Sequence, residues 1–403
     1  MEIIRIGVIG CGARLKTVIK DLVAEKGVQV SGVWDPTPEN AQNLLRIAGN
    51  PDGTLYDSYE SLVKDPSLDW VMVGSPNVFH KEQIIAAFEQ GKNVFSEKPL
   101  ATSIDDCVAI NAAHKKSGKQ FATGFVLRYS PLYRKVKEIF DSGQLGEIIS
   151  VDANENIPPQ HGAFMAASWR RCRGVAGPHI LEKCVHDLDL FNWFTESVPL
   201  RIAAFGGNNY FVPEHAAQFD THRETYTAWF EDGVEHIDAN PFSCDKTSED
   251  NVVCILEYAT GVRVQFQATM ANPIPERRMY FHCTRGNLIV DLYSMSVVVQ
   301  TIDDDSTSRY EYPQGPGHGG GDVIIAQELA AAMISGGVPK CGGTEGLYST
   351  VVALAVDEAR LQGKIIDMTP LWMKLGVVVP DSGAPYGVTV NSSVNEADST
   401  IRC

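Results

Sequence analysis

The first 125 residues alternate short apolar runs with helical patterns, and a glycine-rich turn joins the first run to the first helix. The opening run, "IIRIGVIG", is continuously apolar, as expected for a parallel strand that is buried on both faces. Four later runs, each preceded by a helical stretch, repeat this pattern: "VQVSGVWD", "WVMVGSP", "NVFSE" and "QFATGF". Such alternation predicts βαβ units and a doubly wound parallel sheet.

From residue 126 onward the sequence favours long strands joined by short turns. "GEIISVDANENI" has the period of two of a strand, and turn signals between 200 and 312 predict antiparallel hairpins. Helices are predicted at 131–142, 178–195, 323–335 and 345–362. We therefore expect an α/β chain with a parallel-sheet domain over 1–125, an α/β domain with a mostly antiparallel sheet over 126–380, and a loosely ordered polar tail over 381–403.

Charge and cysteine content narrow the class of partner. With 34 basic and 50 acidic residues the net charge is −16, which argues against nucleic acid and anionic membranes, because these partners are bound by Lys and Arg. No apolar run is long enough to span a bilayer, and the N-terminus shows no signal peptide. The nine cysteines form no CxxC pair, which predicts reduced thiols in a cytoplasmic protein.

The turn "GVIGCGARL" has the first two glycines of a dinucleotide-binding fingerprint. Gly10 would permit the tight turn, and Gly12 would let the backbone approach a pyrophosphate at the positive end of the next helix. Leu15 takes the place of the third glycine, which serves packing and not phosphate binding. Asp35 ends the second strand, where an acid binds ribose hydroxyls and repels a 2′-phosphate, so NAD is favoured over NADP.

Four separated motifs together resemble the Gfo/Idh/MocA oxidoreductases, the glucose–fructose oxidoreductase and inositol dehydrogenase group. They are "GVIGCG" (7–12), "GSPNVFHKEQIIAAFEQGKNVFSEKPLA" (74–101), "FVLRYSPLYRKVKEIFDSGQLGEI" (125–148) and "ILEKCVHDLDLFNW" (180–193). The resemblance covers about 1–365. It implies a Rossmann domain followed by a domain with a large, open-faced, mostly antiparallel sheet, and NAD(P)-dependent redox chemistry on a sugar, a polyol or a close derivative.

The resemblance also implies roles for individual residues. Lys98, in the E-K-P motif, would contact the reacting hydroxyl and the nicotinamide ribose, and Pro99 would be a cis or turn residue. Cofactor contacts are implied for Gly10, Gly12, Ala13, Arg14, Asp35, Ser75, Pro76, Asn77, His80, Glu97 and Lys98.

The later family motif, D-x-G-x-H, reads Glu182-Lys183-Cys184-Val185-His186 in this chain. The resemblance makes His186 the acid/base, and histidine suits that task because its unperturbed pKa lies near neutrality. If the segment is one helix, Glu182 and His186 lie four residues apart on the same face, so the carboxylate would orient the imidazole. Lys183 and Asp187 have the same spacing and are interpreted as an ion pair, although Lys183 could also reach substrate.

Further residues are expected to border the substrate. Asp189 could also touch substrate from the face of His186, and the glycine-rich stretch 315–322 could form a loop into the cleft, where Asp322 either contacts substrate or caps the following helix. A zinc site of Cys184, His186 and His318 lacks the usual ligand spacing, so no metal is expected. The substrate-binding candidates are Arg128, Trp169, Arg170, His179, Lys183 and His318.

Three functions fit these residues. The leading prediction is a dehydrogenase that moves a hydride between NAD(P) and a secondary hydroxyl or ketone of a sugar, polyol or glycoside. A second is transient NAD-dependent oxidation that enables elimination or glycosidic cleavage, and a third is a non-catalytic NAD or sugar sensor. The resemblance implies a homodimer or homotetramer formed through the large sheet.

Overall fold

The structure is a computed structural model that describes residues 3–231, 240–304, 306–315 and 317–379. The predicted tail over 381–403 lies outside the described residues.

The first unit is a six-stranded parallel sheet with helices between its strands, as predicted. Its strand order is β3-β2-β1-β4-β5-β6, and every pairing is parallel. The strands are β1 (Ile4–Ile9), β2 (Val28–Trp34), β3 (Thr54–Leu55), β4 (Trp70–Val73), β5 (Asn93–Ser96) and β6 (Phe121–Thr123). The helices are α1 (Ala13–Leu22), α2 (Pro38–Ile47), α3 (Tyr59–Val63), α4 (His80–Glu89) and α5 (Ile104–Ser117). The order reverses between β1 and β4, which is where open α/β sheets bind ligands.

The second unit is built on a nine-stranded sheet of order β14-β13-β12-β11-β7-β10-β9-β8-β15. Its pairings are antiparallel except between β7 and β10, so the predicted mostly antiparallel sheet is confirmed. The strands are β7 (Ile148–Asn156), β8 (Pro199–Gly207), β9 (Asn251–Tyr258), β10 (Arg263–Thr269), β11 (Arg278–Cys283), β12 (Gly286–Asp291), β13 (Ser296–Thr301), β14 (Ser308–Glu311) and β15 (Ile366–Asp367).

The helices of the second unit differ from the prediction in two places. The expected helix at 178–195 breaks at Lys183 and Cys184, and helices also occur between 217 and 231, inside a region expected to form strands. The helices are α6 (Pro131–Asp141), α7 (Pro159–Ala167), α8 (Arg173–Ala176), α9 (His179–Glu182), α10 (Val185–Thr195), α11 (Ala217–Thr221), α12 (Arg223–Glu231), α13 (Gly317–Ser335), α14 (Gly343–Gln362) and α15 (Thr369–Leu375).

The last long helices, α13 and α14, contact both units. Helix α13 packs on α1, and α14 packs on α5 and β6 as well as on α10 and β8. The N–H of Thr123, at the end of β6, donates to the carbonyl of Cys341, just before α14, at 3.0 Å. The division into domains at residues 125 and 126 remains a prediction, because the chain returns to the first sheet near its end.

Among the described residues, one face of the nine-stranded sheet is left open, with exposed side chains along β8 and β9. Helices α10 and α14 lie against the other face, and the residues of β9 and β10 alternate between buried and exposed. Large apolar side chains stand on the open side: Phe205, Val253 and Ile255 are 76%, 41% and 55% exposed. None of the helices that the structure describes combines the length and apolar composition needed to cross a bilayer.

Candidate active site

The glycine-rich turn after β1 has the geometry that a dinucleotide requires. Gly10 has φ +82°, and a Cβ at this position would lie 2.5 Å from the Ser75 nitrogen, so the close approach of the β1 and β4 ends excludes any larger residue. Gly12 precedes α1, and an added Cβ there would meet nothing within 4 Å. The first turn of α1 has no acidic residue, and Gly12 provides no side-chain cap. The positive end of α1 is therefore available to a phosphate, and the residues present fit a dinucleotide.

Leu15, which replaces the third glycine of the fingerprint, is accommodated by a glycine elsewhere. An ideal Cβ at Gly74, after β4, would lie 2.5 Å from the Leu15 side chain. Gly74 therefore supplies the close helix–strand packing that the third glycine normally permits.

Asp35 lies beside this turn, at the end of β2. Its two carboxylate oxygens accept hydrogen bonds from the N–H groups of Cys11 (2.7 Å) and Thr37 (2.8 Å). The carboxylate is thus fixed next to the glycine-rich turn, where an adenine ribose lies in Rossmann domains.

The loop after β4 is held by buried hydrogen bonds. The His80 ring nitrogens lie 2.8 Å from the carbonyl oxygens of Ser75 and Pro99, and Ser75 Oγ donates to Gln83 at 2.6 Å. Both ring nitrogens of His80 face backbone carbonyls, so in the described structure His80 holds the loop in place. Asn77, in contrast, reaches the second unit.

Lys98 lies at the carboxyl end of the sheet, after β5. Its Nζ donates to the backbone carbonyl of Glu182 at 2.5 Å and lies 3.7 Å from Glu182 Oε2. Burial lowers the pKa of Lys98, and the Glu182 carboxylate partly offsets that effect. The bond between Lys98 and Pro99 is cis, as the resemblance implied.

The Glu182 carboxylate is surrounded by donors. It accepts from Asn77 Nδ2 at 2.7 Å and from Arg170 Nε at 3.0 Å, in addition to its ion pair with Lys98. Burial opposes its ionisation, but the charges of Lys98 and Arg170 outweigh burial and hold the pKa of Glu182 below its usual value. Arg170 also lies over the Trp169 ring, 4.4 Å from its centroid.

The expected pairing of Glu182 with His186 is wrong. Helix α9 ends at Glu182 and α10 begins at Val185, so the two residues do not share one helical face. Within the described structure, Nδ1 of His186 has no hydrogen-bond partner. Burial, followed by Lys98 and other cations, lowers the pKa of His186 well below 6.5, so this imidazole is not poised near neutrality as its residue type suggested.

His318 lies next to His186, with ring centroids 5.6 Å apart. A left-handed turn brings it there: His318, Gly319 and Gly320 have φ of 45°, 62° and 84°. His318 Nδ1 lies 3.1 Å from Asp322 Oδ2, so Asp322 is a partner of His318. The glycine loop therefore enters the site, as one of its predicted roles required.

Arg14 connects this loop to the first sheet. Its Nε donates to Glu97 at 2.8 Å, and its Nη1 forms an ion pair with Asp322. Burial opposes the charge of Arg14, but Glu97 and Asp322 outweigh burial and raise the pKa of Arg14. Glu97 therefore orients Arg14, and it also accepts from the Lys98 N–H at 3.3 Å.

The predicted ion pair between Lys183 and Asp187 is also wrong, because the helix breaks between the two residues. Lys183 Nζ lies 3.2 Å from Glu155, and Arg277 pairs with both Glu155 (3.0 Å) and Asp187 (2.7 Å). Burial and the adjoining Glu155 raise the pKa of Asp187. Among the described residues, ligand atoms of Glu155, Cys184 and Asp187 lie within 4.8 Å of one another, but Arg277 and Lys183 already pair with these carboxylates, so we assign no metal there.

Glu155 and Arg277 were not predicted from the sequence, although the alternating pattern of β7 indicates that Glu155 is buried. It shares the buried parity of β7 with Val151 and Ala153, so the period-two pattern places a charged residue on the core face. A buried acid without a paired cation is costly, and a partner such as Arg277 should have been sought.

Arg128 is placed apart from this cluster, whereas His179 is buried close enough for Glu155, Lys183 and Glu182 to act on its pKa. Arg128 donates to both carboxylate oxygens of Asp189, at 2.7 and 2.8 Å. It lines a cavity together with Trp193, and Lys98 is not among the residues that line this cavity. His179 is fully buried with Nε2 3.8 Å from Cys184 Sγ. Asp189, expected near the substrate, is likewise buried against Arg128.

Comparison with known proteins agrees with this geometry. Residues 4–125 match the model described as "Oxidoreductase family, NAD-binding Rossmann fold", and residues 133–289 match the "GFO/IDH/MocA C-terminal domain". The 1,5-anhydro-D-fructose reductase of Ensifer adhaerens is 25% identical over 371 residues, which cover 90% of this chain and 98% of that protein. The 2,7-anhydro-N-acetylneuraminate hydratase of Escherichia coli K12 is 28% identical over 51% of this chain and 53% of that protein, about half of each.

A solved structure gives the same fold. The levoglucosan dehydrogenase in complex with NADH and levoglucosan superposes with a TM-score of 0.74, at 18% identity, and covers 91% of this chain and 99% of that one. With a dinucleotide-compatible turn, a half-buried lysine after β5 and matches to both family domains, this chain belongs to the Gfo/Idh/MocA family of NAD-binding oxidoreductases.

Proposed function

We propose that this protein oxidises a secondary hydroxyl, or reduces the corresponding ketone, of a sugar or polyol with NAD. The observation that supports this most is the convergence of Lys98, Glu182, His186 and His318 at the carboxyl end of the parallel sheet, beside the glycine-rich turn. When bound, the nicotinamide accepts a hydride from a carbinol carbon or returns it to a carbonyl.

Residues of the first unit would hold the cofactor. The N-terminal turn of α1, with Gly12, Ala13 and Arg14, would bind the pyrophosphate, and Asp35 would accept hydrogen bonds from the ribose. The negative charge of Asp35 supports NAD over NADP, because a 2′-phosphate beside it would be repelled. Ser75 and Pro76 belong to the loop that borders this site.

Residues at the junction of the two units would act on the substrate. Lys98 would donate a hydrogen bond to the reacting oxygen and stabilise the negative charge that develops there. Arg170 and Lys183, each paired with a buried carboxylate, would bind further hydroxyl groups, and the Trp169 ring would contact the sugar. His186 and His318 are the two groups that could exchange the hydroxyl proton.

A second function, transient oxidation that enables elimination or cleavage, is supported by the hydratase relative of E. coli. The same side chains would serve it, because oxidation at one carbon acidifies the neighbouring C–H. Net NADH separates the two functions: a dehydrogenase accumulates NADH with product, whereas transient oxidation yields product without NADH.

We also propose that the protein is a homo-oligomer, at least a dimer, formed through the open face of the nine-stranded sheet. Phe205, Val253 and Ile255 are exposed there, and exposed apolar patches commonly mark interaction surfaces. The eight described cysteines are all free thiols, which supports a reducing, cytoplasmic location.

The experiment that tests the function is a screen of sugars, inositols, glycosides and anhydro sugars with NAD and with NADP, followed by NADH absorbance and by product analysis. A secondary alcohol that is oxidised with NAD, and not by the Lys98→Met variant, supports the proposal. Product without NADH would favour transient oxidation. No conversion of any compound by either readout would contradict both.

A further inference from the structure

The His318–Asp322 pair is arranged as a base with its orienting carboxylate. Asp322 oxygens lie 3.1 and 3.3 Å from His318 Nδ1. The nearby His318 and Arg14 hold the pKa of Asp322 at about 2 against the effect of burial, so the carboxylate is ionised and can only accept. Nδ1 of His318 must therefore carry the hydrogen, which leaves the lone pair of a neutral imidazole on Nε2, at the ring edge away from Asp322.

His186, the other candidate, lacks such a partner. The carboxylate that should orient it, Glu182, instead binds Asn77, Arg170 and Lys98. Protonated His186 would carry its charge among cations, since Lys98, Arg277 and Lys183 all act to lower its pKa. An imidazolium is stabilised by an adjacent carboxylate and destabilised by adjacent cations.

From this contrast we propose that His318, oriented by Asp322, is the catalytic residue that takes up and returns the hydroxyl proton, an assignment that rests on the proposed function. Asp322 is its positioning residue. His186, which stays neutral, would bind substrate beside Lys98.

The step balances without any further reactant. The substrate O–H bond breaks and its proton bonds to Nε2 of His318, while the oxygen lone pair becomes the second bond of the carbonyl. The C–H electron pair leaves with its hydrogen as the hydride that the nicotinamide accepts. The imidazolium that forms keeps its Nδ1–H on Asp322 and later releases the Nε2 proton to solvent.

The conformation of the glycine loop determines the position of His318. Gly319 and Gly320 are left-handed, and a Cβ at Gly319 would lie 2.9 Å from Ser130 Oγ. In the part of the chain that the structure describes, charged and titratable groups face His318 from four segments: Asp322 on its own helix, Arg14 on α1, His186 on α10, and Lys183 between α9 and α10. Burial lowers the pKa of His318 to about 4, as it lowers the pKa of His186, but at His318 the hydrogen bond with Asp322 opposes that effect. Both imidazoles are therefore neutral at neutral pH, and the carboxylate partner is what distinguishes His318.

The test compares His318→Asn, Asp322→Asn and His186→Asn, with the exposed His222→Asn as a matched control. We expect His318→Asn to lower turnover at least about 100-fold, the size of a general-base contribution, with the Kd for NADH changed less than about threefold. The His186→Asn variant should lose less turnover than the His318→Asn variant, and His222→Asn should keep the turnover of the wild type. If His186→Asn abolishes turnover while His318→Asn stays within about threefold of wild type, the proposal is wrong.

A second readout does not depend on turnover. In ¹⁵N-histidine NMR, His318 should show the Nδ1–H tautomer, and Asp322→Asn should lower its pKa by about one unit or more. The acid limb of kcat/KM for oxidation should move to lower pH by the same amount. An Nε2–H tautomer, or an unshifted pKa, overturns the proposal even if a variant folds poorly. If wild-type protein converts no compound in the screen, the proposed function fails, while the NMR result still decides whether the pair exists.

Discussion

Lys98 Nζ donates a hydrogen bond to the backbone carbonyl of Glu182 at 2.5 Å. This contact joins the carboxyl end of β5 in the parallel sheet to the end of α9 in the second unit. The cofactor and the substrate would meet at that junction, because one unit provides the glycine-rich turn and the other provides Arg170, Lys183 and His186. Lys98 therefore links the cofactor side of the site to the substrate side.

Replacing Lys98 with Met should remove the donor to the reacting oxygen while keeping most of the side-chain volume. We expect turnover to fall about 100-fold or more, as when an oxyanion donor is lost, with the Kd for NADH within about threefold of wild type. Steady-state rates and fluorescence titration with NADH check this. Lys115→Met, on the exposed side of α5, is the control, and a Lys98→Met enzyme as active as this control would contradict the assigned role.

Asp35→Asn should weaken the discrimination against NADP. The amide keeps one acceptor oxygen but removes the negative charge next to the ribose, so we expect the NADP/NAD ratio of Kd values to fall about tenfold. The exposed Glu39→Gln removes a charge nearby without touching the turn. Equal affinity of the wild type for both cofactors would show that Asp35 does not select between them.

Glu155→Gln should destabilise the fold, because Arg277 and Lys183 would lose their shared buried carboxylate. Breaking a buried ion pair typically costs about 3–5 kcal/mol. Urea denaturation followed by circular dichroism measures the free energy of unfolding, and Glu147→Gln, at an exposed position, is the matched control. If the free energy of unfolding fell by less than about 1 kcal/mol, the ion pairs of Glu155 with Arg277 and Lys183 would contribute little to stability.

The buried His179 should make stability depend on pH. Burial lowers its pKa from 6.5 to about 4. At pH values between these two pKa values, His179 is therefore protonated in the unfolded chain and neutral in the folded protein. The free energy of unfolding should therefore fall as pH is lowered from about 6.5 to about 4, by about 2–3 kcal/mol from this residue. His179→Asn should flatten the pH profile measured by urea denaturation, and a profile identical to wild type would refute this contribution.

Phe205→Glu and Ile255→Glu place charges on the open face of the nine-stranded sheet. If that face joins two subunits, each variant should shift the mass found by sedimentation velocity toward the monomer. Ile274→Glu, 87% exposed in the loop after β10, should leave the mass unchanged. Wild-type protein that sediments as a monomer would rule out the interface.

The sequence predicted most of the fold because its signals are local. Apolar runs identify the parallel strands, and the hairpin β9–β10 follows from alternation around a Thr-Gly turn. The helix break at Lys183–Cys184 could not be predicted in this way, since neither residue is a helix breaker and a local pattern carries no information on contacts such as that of Lys183 with Glu155.

The candidate site divides in the same manner. Gly10, Asp35 and Lys98 lie at strand ends, so a linear pattern locates them. The partners of Glu182 and His318 depend on how the second unit and the glycine loop fold back, and spacing along the chain gave the wrong partner for His186. The role of Asp322 remained open in the sequence because its contact with Arg14 joins residues far apart in the chain, and its contact with His318 depends on the left-handed turn at His318.

The return of α13 and α14 to the first sheet has a consequence for folding. A fragment of residues 1–125 would lack the Asp322 partner of Arg14 and the Cys341 carbonyl that pairs with Thr123. The sides of α1 and β6 that α13 and α14 cover in the whole chain would then be exposed to solvent. We therefore expect that neither half of the chain is stable alone. Unfolding should therefore proceed as a single cooperative transition.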